Sequence, residues 1–165
     1  QMTSQPMMMQ STIATSVANA VFATDRGLAP VALRATLALV MFPHGAQKAL
    51  GWFGGYGWDG TMGFLTGSIG MPSLFAAGVI LLEFLGPLLL LAGLGSRLVA
   101  LGFVGLMIGA IVTVHAPHGF FMNWSGAQSG EGFEYHLLVI GAALGIVFAG
   151  GGRLSVDRRL TRRKS

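Results

Sequence analysis

Four apolar runs, residues 32–51, 73–95, 97–115 and 134–150, constrain this chain more than any other feature. A helix needs about 20 apolar residues to cross a bilayer, with a lower limit of about 17, which the last run only just meets. Composition agrees: 53% of the 165 residues are hydrophobic and 10% are charged, against about 25% charged in a soluble domain. The mean hydropathy is +0.68. These features predict an all-α, polytopic membrane protein, an antiparallel four-transmembrane-helix bundle forming one compact unit. Residues 1–30 are read as an N-terminal tail, 31–151 as the transmembrane domain and 152–165 as a basic cytoplasmic tail.

Charge placement sets the expected orientation. The net charge is +4, and six of the ten Lys and Arg residues follow Gly150. That distribution argues for topology and against nucleic-acid binding. The segments 52–72 and 116–133 hold no Lys or Arg, whereas Arg97 lies in the short turn between the second and third runs. The positive-inside rule then puts Arg97 and both termini in the cytoplasm. No basic stretch followed by an apolar core and a cleavage site suggests a signal peptide. With no cysteine, the chain offers neither thiol catalysis nor cysteine-held iron–sulfur clusters.

Residues 1–30 are read as a flexible tail containing the Met7–Met9 run. Ile13, Val17, Val21 and Phe22 recur at the spacing of an amphipathic surface helix. Gly105-x-x-x-Gly109 and Gly141-x-x-x-Gly145 allow close backbone approach. Packing within the chain is expected there, in preference to dimerisation.

The first run carries Arg34, His44, Gln47 and Lys48. At 3.6 residues per turn, Arg34, Met41 and Lys48 fall within about 40° of one another, and His44 lies about 40° beyond Lys48. Ionisable groups within a bilayer are costly and mark functional sites by default; the competing explanation is that Arg34 and Lys48 snorkel to the two interfaces. Glu83 lies about 16 Å along its helix from Pro72, near mid-membrane. A buried carboxylate needs a partner, and Arg34 is the first expected one, His44 the second. Pro43 and Pro87 are expected to kink the helices beside these groups.

The two outer segments are rich in Gly and aromatics, among them Trp52, Tyr56, Trp58, Phe121 and Trp124. They read either as an interfacial belt or as a lid. Gly55-x-Gly57-x-x-Gly60 imitates a dinucleotide fingerprint, but it follows no strand and is rejected. His115, His118, Glu131, Glu134, Tyr135 and His136 cluster at the outer ends of the last two runs. With His44 and Lys48 they would line one outward-facing pocket. Such a mix suits proton exchange with a quinone head group. No tight spacing such as H-x-x-x-H is present, so no metal ligand set is assigned. Bis-His haem through His44 with His115 or His136 is disfavoured.

Several motifs resemble the DoxX family. They are Arg34, His44-Gly45-x-Gln47-Lys48, Glu83, Gly95-Ser96-Arg97 and His118-Gly119. Gly132-Phe133-Glu134-Tyr135 and Gly151-Gly152-Arg153-Leu154-Ser155-Val156-Asp157-Arg158 complete the set. The resemblance runs from about residue 33 to residue 160. It implies a four-helix bundle in a prokaryotic inner membrane and a link to redox chemistry, some relatives being similar to the DoxD subunit of thiosulfate:quinone oxidoreductase. The expected function is an integral membrane component of a redox system binding a quinone or a small anionic substrate. His44, Glu83 and Glu134 are the candidate catalytic groups. Arg34, Lys48, His115, His118 and His136 are the candidate substrate-binding groups. The alternative is a non-catalytic small subunit packed in a larger membrane complex. The expected partners are the lipid bilayer and further subunits or copies of the chain.

Overall fold

The structure is a computed structural model that describes residues 22–24 and 27–162. The expected N-terminal surface helix lies almost wholly outside the described residues, as do the Met7–Met9 run and Arg163 and Lys164. Every element described is helical, with no strand among the described residues. The elements are α1 (Ala29–Leu50), α2 (Gly57–Gly63), α3 (Ser73–Ala92), α4 (Ser96–Ala110), α5 (Glu134–Ala149) and α6 (Val156–Arg162). A π-helical turn, Ile111–His115, and a 3-10 turn, Ala116–His118, prolong α4.

Two of these helices are long and apolar enough to cross a membrane. Ser73–Ala92 has a mean hydropathy of 2.4, and Ser96–His118, which is α4 with its two prolonging turns, has 2.2. Only 33% and 22% of these two segments is buried within the chain, whereas the core helix of a soluble protein is mostly buried. α5 is apolar but has only 16 residues. α1 has 22 residues, and its polar side chains lower its apolarity.

The four long helices share one core of Leu37, Ala38 and Met41 from α1, Leu90 from α3, Val99, Ala100, Phe103 and Met107 from α4, and Val139, Ala143 and Ile146 from α5. α1 lies against α3 and α5, and α4 against α3 and α5. The contacts fix the directions. Arg34 meets Leu90 while Lys48 meets Glu83, so α1 and α3 run antiparallel. Leu39, Leu74, Phe75, Val112, Leu138 and Phe148 project outwards, each at least 67% exposed. An apolar surface that extensive marks contact with lipid or with another protein.

Glycines set the closest helix approaches, though not the ones expected. A Cβ on Gly45 would collide with the backbone carbonyl of Glu83. That carbonyl stands four residues before Pro87, which has no N–H to offer it. The missing donor and the missing Cβ coincide, and α1 settles against α3 at this level. Gly86 and Gly102 serve the α3–α4 contact, their Cβ positions lying 3.1 Å from Phe103 and 3.0 Å from Leu82. By contrast, Gly105, Gly109 and Gly141 have nothing within 4 Å of a Cβ, and Gly145 alone of the two G-x-x-x-G pairs meets a neighbour, Leu33. The expected close packing within the chain is therefore absent at these pairs, because three of their four glycines face outwards.

The segment read as a Gly/aromatic loop is partly helical. α2 continues into a π-helical stretch, Phe64–Ser68. The segment read as a basic tail folds back as α6, held by Asp157. Its carboxylate accepts the backbone N–H of Gly95 (2.7 Å) and of Ser96 (2.9 Å), and its own N–H donates to Gly93 O at 3.0 Å. The first N–H groups of α4 have no intrahelical acceptor, and a carboxylate satisfies them and opposes the helix dipole.

Candidate functional site

Lys48 and Glu83 form an ion pair across the α1–α3 contact. Glu83 is buried, with 5% of its side chain exposed, and Lys48 keeps 36%. The expected partners of Glu83, Arg34 and His44, are thus replaced by Lys48. The reason is axial register. The Gly45–Glu83 approach brings the turn containing Lys48 to the level of Glu83. Arg34 lies 14 residues before Lys48, about 21 Å along the axis.

Arg34 serves the other end of the bundle. Nη1 donates to Leu90 O at 2.8 Å and to Leu91 O at 2.9 Å, and Nη2 donates to Leu154 O. The guanidinium thus satisfies carbonyls at the C-terminus of α3 and ties the segment before α6 to it. The structure does not bring Arg34 to the other expected binding residues.

Around Lys48 and Glu83 the structure does gather a polar group. The His44 ring faces Tyr135 with centroids 6.1 Å apart, and Tyr135 faces His136 at 5.7 Å. His136 and His115 lie closest, at 4.1 Å. Electrostatic interactions link His44 with Lys48 and Glu83, Tyr135 with Glu83, and His136 with His115, His44 and Lys48. His44 is exposed, His115 half-buried and His136 buried. The π-helical turn that ends at His115 widens the helix there, a feature frequent at functional sites. His115 Nδ1 is 2.8 Å from Glu131 O. A protonated Nδ1 would donate to that carbonyl and leave Nε2 as an acceptor. Nδ1 of His136 is buried with no hydrogen-bonding partner, a condition that costs about 1–3 kcal/mol.

Glu134 and His118 are engaged elsewhere. Residues 134 and 136 stand about 200° apart around a helix, so burying His136 turns Glu134 outwards. Its Oε1 accepts the N–H of Met122 at 2.9 Å and the indole N–H of Trp124 at 3.4 Å. His118 Nδ1 pairs with Ser129 Oγ at 3.3 Å. Both organise the segment between α4 and α5. Of the aromatic side chains in the two outer segments, Tyr56 and Trp124 are each 88% exposed. Tyr135, expected in the outer polar cluster but given no catalytic or binding role there, sits between His44 and His136, and its hydroxyl contacts Met41 Sδ at 3.5 Å. No group of three or more His, Cys, Asp or Glu side chains suited to a metal ion occurs among the described residues.

Comparison with known proteins adds three findings. The family model described as DoxX matches residues 29–116. A Bacillus subtilis (strain 168) protein named "Putative oxidoreductase CatD" is 32% identical over 125 residues, covering 76% of this chain and 81% of the relative. No solved structure matches.

Proposed function

The chain belongs to the DoxX family of membrane-associated proteins, and from that premise we propose a quinone-reactive component of a membrane redox system. All four long helices cross a prokaryotic cytoplasmic membrane in this reading. The termini and Arg97 lie on the cytoplasmic side, and the His44–His136 cluster lies near the outer face. A quinone head group, or a small anionic substrate, binds beside His136.

The observation that supports it best is the buried, unpartnered Nδ1 of His136, flanked by His115 and Tyr135. A ligand oxygen or hydroxyl there would satisfy a nitrogen that is otherwise left unbonded. A quinone accepts two electrons and two protons on reduction. The side chains of this chain handle only protons and position, so the electrons come from a partner subunit. His115 and His44 exchange protons with the head group and, beyond it, with the exposed end of the bundle. Lys48 is already paired with Glu83, and it acts by holding that carboxylate in position.

One observation favours the accessory-subunit reading. Lys48, Glu83, Glu134 and Arg34 all have partners within the chain, as purely structural groups would. Purification from native membranes, with extraction of bound quinone and a visible spectrum, separates the two. Quinone is expected to co-purify with the parent protein and to be lost from His44→Ala/His136→Gln at unchanged helix content. Equal retention by both proteins would remove the site from this cluster, and no quinone in the parent would favour the accessory subunit.

A further inference from the structure

We propose that the cleft between the end of α3 and α6 binds the phosphate of an anionic phospholipid. It is a space of about 260 Å³, and Arg153, Arg158 and Arg159 lie in its walls with Leu154 and Ala92. None of the described residues that line it is acidic. Asp157, within the same segment, spends its carboxylate on the N–H groups of Gly95 and Ser96, so that carboxylate is committed to the start of α4. Arg153 and Arg159 thus line a cleft to which the carboxylate of Asp157 is not directed. Guanidinium groups match a phosphate through paired N–H bonds, and they desolvate more readily than an ammonium.

The walls are built in advance of any ligand. Arg34 holds the Leu154 carbonyl, and Arg158 Nη1 donates to Arg153 O at 3.2 Å. Ser155 Oγ donates to Gly152 O at 2.8 Å. The apolar rim argues for a lipid over a free anion. Leu154 is 66% exposed and Leu91, next to Ala92, is 55% exposed. A headgroup in the cleft leaves its acyl chains along these leucines and the outer flank of α3, contacts that inorganic phosphate cannot use. The cleft lies at the end of one membrane-length helix and beside the start of the next, at the level of the lipid headgroups. The inference rests on α3 and α4 lying in a bilayer and is independent of the redox reading.

The test is native mass spectrometry of the full chain, delipidated in neutral detergent, with dioleoylphosphatidylglycerol or dioleoylphosphatidylcholine added at equal mole fraction. The parent is expected to retain the phosphatidylglycerol preferentially, on the order of tenfold, and Arg153→Gln/Arg159→Gln to lose that preference. Arg97→Gln removes a charge from a described residue that does not line the cleft and is expected to keep it. Equal retention of the two lipids by the parent overturns the proposal, as does equal loss in Arg153→Gln/Arg159→Gln and in Arg97→Gln, which would mean a diffuse charge effect. Displacement of phosphatidylglycerol by millimolar inorganic phosphate would assign the cleft to a free anion and overturn the lipid.

Discussion

Lys48 on α1 pairs with Glu83 on α3 at the level where Gly45 leaves no Cβ between the two helices. Ion pair and close approach are one arrangement. The glycine lets the backbones meet, and the lysine one turn further reaches the carboxylate. Separating the helices would strand a buried charge, which is the costly outcome.

Removing either partner is therefore expected to destabilise the protein. A fully buried pair costs about 3–5 kcal/mol when broken and an exposed one at most about 1 kcal/mol. Lys48 is partly exposed, so Lys48→Met should cost about 2 kcal/mol. Glu83→Leu should cost no more than Glu83→Gln only when Lys48 is also replaced. Unfolding of the two single variants and the double in mixed detergent gives the coupling. Strictly additive effects would show that the pair contributes nothing.

Gly45→Ala and Gly105→Ala should differ in sign. The first pushes a methyl group into the Glu83 carbonyl, an overpacking expected to cost about 1–3 kcal/mol. The second meets open space, and an alanine in a helix interior is favoured over glycine by about 1 kcal/mol. Melting temperatures in one detergent decide it. If both variants melt alike, the α1–α3 approach is looser than the structure has it.

Asp157→Ala should free the C-terminal segment. It removes two N–H acceptors at the start of α4, a loss comparable to that of a helix cap, about 0.5–2 kcal/mol. Trypsin is expected to cut the arginine-rich segment after Gly152 faster than in the parent, with the rest of the chain protected. Unchanged cleavage would show that α6 is held by other contacts.

Topology has a direct test. Reporter fusions after residue 60 and after residue 125 should read as external, and one at the C-terminus as cytoplasmic. A cytoplasmic reading at residue 60 or 125 would overturn the four-crossing arrangement.

Helical periodicity alone placed Arg34 and Met41 on one face of α1, and both are buried. Pattern and length located the four long helices to within a few residues, because apolar runs and their Gly and Pro boundaries are local properties. The burial of Glu83 was legible for the same reason. Partner choice was not. Which residue of α1 meets Glu83 depends on the axial register of two helices, set by Gly45 against the carbonyl that Pro87 leaves without a donor. Nor was it legible that Arg34 would bind backbone carbonyls, since those become neighbours only when α3 ends beside α1 and the chain after α5 returns. His136 and Glu134 looked like one polar cluster in the linear chain, but the helix turned them apart, and tertiary packing chose which of the two went inside.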